Sequence, residues 1–322
     1  MLSLPLSHRP PAQCRKLGFM ACMTCITPYL SRCLKQRLAQ YLILICSLAG
    51  PAAFATDLEQ ALRDFGTGRY PAALEQLAAL AKQHQNDANI SYYLARSQYH
   101  AGQFEQASAT LETLIENHPE HVEAHYLMGS VQVARVGNVN IFRKAGIAKQ
   151  GLAAWEQTVT LDPNHVEGLY AVISYYTSAP ALAGGDLGKA RARLPQLRDL
   201  DQGWAMLAEA SLLDKDKQPE DAETLYRAAA ESIQNRAFPL FALANYQLAQ
   251  DHFKPALQTL TIYEQRSHTW NDPDESIIGM LRGRILAAMG DKAGAQTAFN
   301  RALAAGPRRD IKDRIESEIG KL

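Results

Sequence analysis

One local pattern recurs from Thr56 to the end of the chain at intervals near 34 residues, so the fold must itself be repetitive. A Gly or Asp is followed by a spacer, an aromatic or aliphatic residue and two more residues, and then by a small residue that opens an amphipathic stretch. GRYPAAL (68–74), GQFEQAS (102–108), DHFKPAL (251–257) and GDKAGAQ (290–296) carry it. The small residues align as Ala73, Ala107, Gly151, Ala190, Ala222, Ala256 and Ala295, with spacings of 34, 44, 39, 32, 34 and 39. This is one period with insertions of ten, five and five residues and a deletion of two. Four residues after each marker stands a large apolar one: Leu77, Leu111, Trp155, Leu194, Tyr226, Leu260 and Phe299. Pro119, Pro163 and Pro307 close units. Positions four apart share a helical face, and proline stops a helix, so each unit reads as a helical hairpin.

The pattern resembles the tetratricopeptide repeat (TPR), a helix-turn-helix of 34 residues with a small residue where its helices cross. The resemblance covers essentially the whole chain after residue 55 and is clearest in units two, six and seven. It implies an all-α fold: a right-handed TPR-type α-solenoid with six to seven repeats over 56–307 and a C-terminal capping helix over 308–322, charged on its outer face. A single helix pair cannot bury its apolar side, so neighbours must stack, and such arrays curve around a concave groove. Unit four has Pro195 inside its second helix and ends in LRDLDQG instead of a proline stop, which predicts a kink or an irregular unit.

Residues 1–55 read as an address. Arg9, Arg15, Lys16, Arg32, Lys35 and Arg37 precede the apolar run YLILICSLAG (41–50), and PAAFA then offers Ala53 and Ala55 to a signal peptidase. The expectation is export to the periplasm with cleavage after Ala55, the alternative being an inner-membrane anchor by an uncleaved signal, although the run is short for a membrane span. Translation could begin at Met1, Met20 or Met23. All five cysteines, Cys14, Cys22, Cys25, Cys33 and Cys46, precede the cut, so the Cys22-Met-Thr-Cys25 pair leaves with the leader. Ile43 and Ile45 stand where a lipoprotein signal at Cys46 would have small residues. The leader holds six basic and no acidic residues, which leaves 27 basic against 33 acidic beyond it, a formal charge of −6. The whole chain, with 33 basic and 33 acidic residues, gives no general reason to expect a nucleic-acid or membrane-surface binder, and no stable membrane insertion is expected after cleavage.

No G-x-S-x-G elbow, phosphate loop or dinucleotide glycine fingerprint occurs, and no enzyme, cofactor or metal is expected. Of His118, His121 and His125 in HPEHVEAH, the last two sit one helical turn apart with Glu123 between them, as metal ligands might, and these three are the only nearby grouping a metal-dependent hydrolase could use. The order is H-V-E-A-H, however, and PEHVEAHY (119–126) repeats as PNHVEGLY (163–170), so repeat register accounts for His121 and His165.

The functional candidates are therefore surfaces. Tyr92, Tyr126, Tyr170 and Phe241 fall at one register of the first helices, which line the groove in the family, and Ala205 breaks the ladder in unit five. One turn further stand Arg96, Ser130, Ser174 and Asn245. Tyrosine offers a flat apolar body and a hydroxyl, suited to peptides or small apolar ligands, although packing between helices would use the same residues.

Two insertions are expected as surface loops. GNVNIFRKAGIAKQG (137–151) presents Arg143, Lys144 and Lys149 beside Ile141 and Phe142 and could hold an acidic ligand or an anionic partner; its alternative is an extended helix. Convergence of Arg96 with those three cations would favour an anionic ligand. TSAPALAGGDLGKA (177–190) is turned by Pro180 and Gly184-Gly185, followed by Asp186. Over roughly 132–191 the chain is similar to loops in exported bacterial TPR proteins, including TPR components of some periplasmic transport systems, which implies an accessory or ligand-presenting role. The leading expectation is an exported scaffold that binds a protein or peptide partner in its groove, with a small-ligand accessory of a transport system as the alternative.

Overall fold

The computed structural model describes residues 57–322, apart from Ser267, Trp270 and Asn271. The expected leader, its cysteines, the alternative start positions and the cut after Ala55 lie outside the described residues. Fifteen α-helices and no strand follow one another among the described residues. They are α1 (57–66), α2 (Tyr70–Gln83), α3 (Ala88–His100), α4 (Phe104–Asn117), α5 (Val122–Arg135), α6 (Ile141–Leu161), α7 (Val166–Ser178) and α8 (Leu187–Leu200). Then come α9 (Gln202–Lys215), α10 (Pro219–Ser232), α11 (Phe238–Ala249), α12 (Phe253–Gln265), α13 (Glu275–Ala288), α14 (Lys292–Ala304) and α15 (Arg309–Ile319). Consecutive helices pair as seven hairpins, and α15 follows as the cap.

All seven small markers lie in the second helix of their hairpin and are buried. Twelve residues before the marker, the first helix carries a small partner, Ala61, Ala95, Ala210, Ala244 or Gly283, also buried. Small side chains on both helices let the backbones approach. In unit three a Cβ on Gly151 would lie 3.1 Å from the Gly129 carbonyl oxygen. In units three and seven, where the residue four beyond the marker is Trp155 or Phe299, the first helix makes room with a glycine. A Cβ on Gly129 would come within 2.4 Å of the Trp155 ring, and one on Gly283 within 2.4 Å of Phe299.

The Gly-or-Asp position of the motif is a backbone requirement. Gly68, Gly102 and Gly290 have φ of 76, 73 and 81°, and Asp251 takes the same left-handed conformation at φ 59°. Glycine reaches it without a Cβ penalty, and Asp is among the side chains that tolerate it. Pro119, Pro163 and Pro307 stand just past the ends of α4, α6 and α14. At the C-terminus α15 buries Ile311 and Ile315 against Met280, Phe299 and Ala302, and its exposed side carries the Arg309–Asp313 and Lys312–Glu316 pairs at 3.9 and 3.8 Å. The apolar end of the stack is thereby covered by a polar surface.

Two expectations about the irregular units are corrected. Residues 141–151 form no loop: they are the start of α6, 21 residues long, so Arg143, Lys144 and Lys149 stand on helical turns. The segment has no proline, the Asn140 side chain caps it by accepting from the Arg143 N–H at 3.2 Å, and Ile147, Ala148, Gly151 and Leu152 bury one face. Helix α8 runs without interruption through Pro195, whose ring is on the exposed side, so neither its missing N–H nor its bulk meets the core. The irregularity of unit four lies after that helix. Asp201 alone separates α8 from α9 and caps the latter, accepting from the Trp204 N–H at 2.9 Å.

The second insertion is a turn, as expected. A short 3-10 segment, Ala181–Ala183, is tied down by Tyr175, whose hydroxyl donates to the Ala183 carbonyl at 2.8 Å. Gly184 has φ 100°, a Cβ on Gly185 would overlap the Ala179 carbonyl oxygen at 1.7 Å, and Asp186 caps α8 by accepting from the Lys189 N–H. Gly184, Gly185 and Asp186 thus shape the loop themselves.

Candidate functional site

The repeated histidines begin the site. His121 and His165 are the N-cap residues of α5 and α7, and their Nδ1 atoms accept from the Ala124 and Gly168 N–H groups at 3.2 and 2.9 Å. An accepting Nδ1 leaves the proton on Nε2, and His165 Nε2 points at Glu123 Oε1, 3.3 Å away on the preceding unit. Burial pulls the His165 pKa down, but the hydrogen bond and charge of Glu123 outweigh it and raise the value; the same bond lowers that of Glu123. The neighbouring His125 faces elsewhere, with Nε2 2.8 Å from the Pro119 carbonyl oxygen. No group of three metal-capable side chains occurs among the described residues.

Each tyrosine of the ladder packs on the start of the next unit. The ring centroids of Tyr92 and His121 are 5.4 Å apart, those of Tyr126 and His165 5.0 Å, and those of Tyr170 and Trp204 4.9 Å. Ala205 does break the register in unit five, but its neighbour Trp204 fills the gap and stacks on Phe238 at 6.2 Å. An aromatic wall therefore passes from unit two to unit six.

The wall faces open space. A cleft of about 300 Å³ is lined by Tyr99 of α3, Tyr126 and Ser130 of α5, Tyr170 and Ser174 of α7, Trp204 of α9 and Phe238 of α11. One cleft touching five first helices shows the array curving inward. Trp155 reaches the same space from α6, its indole N–H donating to the Tyr126 carbonyl at 3.1 Å. A second cleft of about 560 Å³ is lined by Tyr92, Tyr93, Arg96, Glu123 and His165, and shares Glu167 and Arg236 with the first. Glu167 and Arg236 form an ion pair at the junction. The Arg96 guanidinium lies 4.5, 5.3 and 5.0 Å from the ring centres of Phe65, Tyr92 and Tyr93, and its burial lowers its pKa.

The expected site residues are thus distributed unevenly. Tyr92, Arg96, Tyr126, Ser130, Tyr170 and Ser174 line these two clefts, and the tyrosines combine packing with lining. Phe241 and Asn245 line neither; Asn245 donates to the Phe241 carbonyl at 2.9 Å within α11. Arg143, Lys144 and Lys149 do not converge with Arg96, which sits among aromatic rings while they stand on the first turns of α6. The register argument missed Glu123 and Glu167 as lining groups, although HVE recurs in both units. It also missed Arg236, which precedes α11 in a turn no helical register covers.

The array also meets itself. Arg308, which precedes α15, lies over the rings of Tyr99 and Phe104 at 5.7 and 5.4 Å, and its Cβ approaches Gly102. Beside it Tyr70 stacks on His100 at 4.2 Å. Burial drives the His100 pKa down to about 3, with the Arg96 and Arg308 charges acting in the same direction. A third cleft, of about 490 Å³, brings Tyr70 together with Tyr263, Asp274, Arg282 and Arg301.

Burial raises the pKa of Tyr92, Tyr126 and Tyr170, so their hydroxyls remain neutral donors instead of bases. The wall presents flat apolar faces, hydroxyls and a band of compensated charge: the makings of a binding surface. Fold and wall together define a helical-hairpin solenoid with an aromatic inner face.

Comparison with known proteins agrees. Residues 64–131 match a family described as Tetratricopeptide repeat, and residues 145–322, more than half of the chain, match one described as Tetratricopeptide repeat-like domain. The chain belongs to the tetratricopeptide repeat family. It is similar in fold to a tetratricopeptide repeat protein from Parabacteroides merdae, at 14% identity and a TM-score of 0.54, covering 84% of this chain and 98% of that one. It is similar also to the thermophilic TPR protein TTC0263 of Thermus thermophilus, at 23% identity and a TM-score of 0.50, covering 61% of this chain and 98% of that one. A third likeness is to the human IFIT1 dimer with PPP-AAAA, at 15% identity and a TM-score of 0.51, covering 79% of this chain and 56% of that one. No curated protein matches the chain.

Proposed function

We propose that this chain is an exported, non-catalytic scaffold that holds a protein or peptide partner in extended form along the face of its first helices. TPR repeats generally mediate protein–protein interaction, and their fold is typically a non-catalytic scaffold. The observation that carries the reading is the wall Tyr126–Tyr170–Trp204 lining one continuous cleft from α3 to α11. Flat rings take side chains of many shapes, their hydroxyls meet backbone carbonyls, and the Glu123, Glu167 and Arg236 charges at the edge orient a chain that carries both signs. Export rests on the leader pattern, with cleavage after Ala55 and a periplasmic site.

The test is recovery of the protein with its bound material from the exported fraction, for the wild type and for Ser130→Arg, which fills the cleft. A distinct partner present with the wild type and lost with the variant supports the reading; identical partners on both would sink it. A second reading, a small-ligand accessory of a transport system, is favoured by the adjoining clefts of about 300 and 560 Å³, a size that suits small molecules. An extra mass of a few hundred daltons in the native mass spectrum would move it ahead.

A further inference from the structure

The two insertions differ in form but share an edge. Each lies between the two helices of its hairpin, so both emerge on the side of the solenoid where the intra-hairpin turns stand. The second packs on the first: a Cβ on Gly184 would lie 3.8 Å from the Leu152 side chain and 3.9 Å from that of Lys149, which stands about 10 Å along α6 from Phe142. The most exposed large apolar side chains among the described residues are here. Phe142 is 94% exposed, Leu182 80% and Ile141 70%. Packing does not require Ile141 or Phe142, because the helix they begin already buries its other face through Ile147, Ala148 and Leu152.

The charge around them is one-sided. Residues 137–155 hold Arg143, Lys144 and Lys149 and no acidic residue, in a chain whose residues 56–322 carry a formal charge of −6. In the neighbouring turn Lys189 is exposed, and the sole carboxylate, Asp186, is occupied in capping α8. The N-terminus of α6 adds its own positive partial charge. Apolar tips ringed by cations, on a body of opposite sign, complement one surface in particular: negative headgroups above hydrocarbon.

We propose that the edge formed by Ile141, Phe142 and Leu182, with Arg143, Lys144 and Lys149 around them, docks reversibly on an anionic phospholipid bilayer. The apolar side chains enter the headgroup boundary and the cations remain among the phosphates. A second copy of the chain fits the edge less well. Three side chains offer roughly 400–500 Å², against about 800 Å² per partner in a standard interface, and the three like charges would face one another. Docking of this kind needs no membrane span, and no helix among the described residues is long and apolar enough to cross one. It is independent of what the inner wall binds.

The experiment uses the protein as recovered from cells that express it with its own leader, so that any effect of the leader is common to all variants. Phe142→Trp adds an indole at an exposed position that leaves the core untouched. Its added emission, relative to the wild type, is followed with vesicles of brominated phosphatidylcholine, alone or mixed equally with phosphatidylglycerol. The proposal expects quenching by the mixed vesicles and little by the neutral ones. Adding Arg143→Gln, Lys144→Gln and Lys149→Gln to Phe142→Trp should raise the lipid needed by about tenfold or more. Quenching that is absent, or equal with neutral vesicles, would overturn it. So would a solution dimer of the wild type that Phe142→Ser dissolves, since the edge would then be a contact between copies.

Discussion

Units two and three are the same hairpin built to different ends. In unit two, Ala95 faces the marker Ala107 and Leu111 fills the crossing, all three with no exposed surface. In unit three the corresponding residues are Gly129, Gly151 and Trp155, and the indole reaches past the crossing into the inner cleft. The second helix is longer at its start, 21 residues against 14, and Ile141 and Phe142 emerge there. Unit two is a spacer whose side chains are spent on packing. Unit three keeps the packing geometry by removing side chains at the crossing, and gains surface on its inner side and at its edge. The repeat conserves the approach of two backbones, and what fills the approach is free to vary.

The largest effect that separates the two is expected at the spacer. Leu111→Ala leaves a cavity in a core with no slack, and should cost about 3–4 kcal/mol in urea unfolding. Gly129→Ala should cost about 2–3 kcal/mol, because its Cβ meets the Trp155 ring at 2.4 Å. Adding Trp155→Leu to it recreates the unit-two pair and should recover more than half of that loss, measured as a coupling energy in a double-mutant cycle. Additive losses would mean that the two units are not equivalent in this respect.

A titration sharpens the comparison from the unit-two side, where the array meets its own end. The His100 imidazole has a folded pKa near 3, against 6.5 in the unfolded chain. The unfolded state therefore takes up a proton below pH 6.5 and the native state does not. Its contribution is complete above that value and declines as the pH falls toward 3, by at most about 1.4 kcal/mol per pH unit. His100→Phe should flatten this part of the stability profile between pH 6.5 and 4. Smaller still, Asn140→Ala removes the cap of the lengthened helix and should cost about 1 kcal/mol. Phe142→Ser should leave the melting temperature nearly unchanged, because the side chain buries nothing.

How much of this was legible in the sequence follows from what repeats. The markers Ala73 to Ala295, the residues four beyond them and the closing prolines recur in phase, and the structure places every marker buried in a second helix. The tyrosine register was legible for the same reason, since equal positions in stacked hairpins face the same way. A register cannot tell packing from lining, and Tyr126 does both. Of the two readings of the insertion at 137–151, a loop or an extended helix, the structure shows the helix from Ile141 onward. Period-breaking residues emerge as surface, but whether they stay helical depends on an N-cap and a buried face, and both were present in Asn140 and Ile147. Arg236 was out of reach: its partner Glu167 is 69 residues away and only the curvature of the array brings them together.

The account stands on the inner wall being the surface that meets a partner. The most direct measurement places a photo-crosslinking benzoyl-phenylalanine at Ser130, inside the cleft, or at Thr113, on the exposed side of α4, and irradiates cells expressing the protein. The account predicts discrete crosslinked products from position 130 and none of the same size from position 113. The same products from both positions, or products from 113 alone, would contradict it.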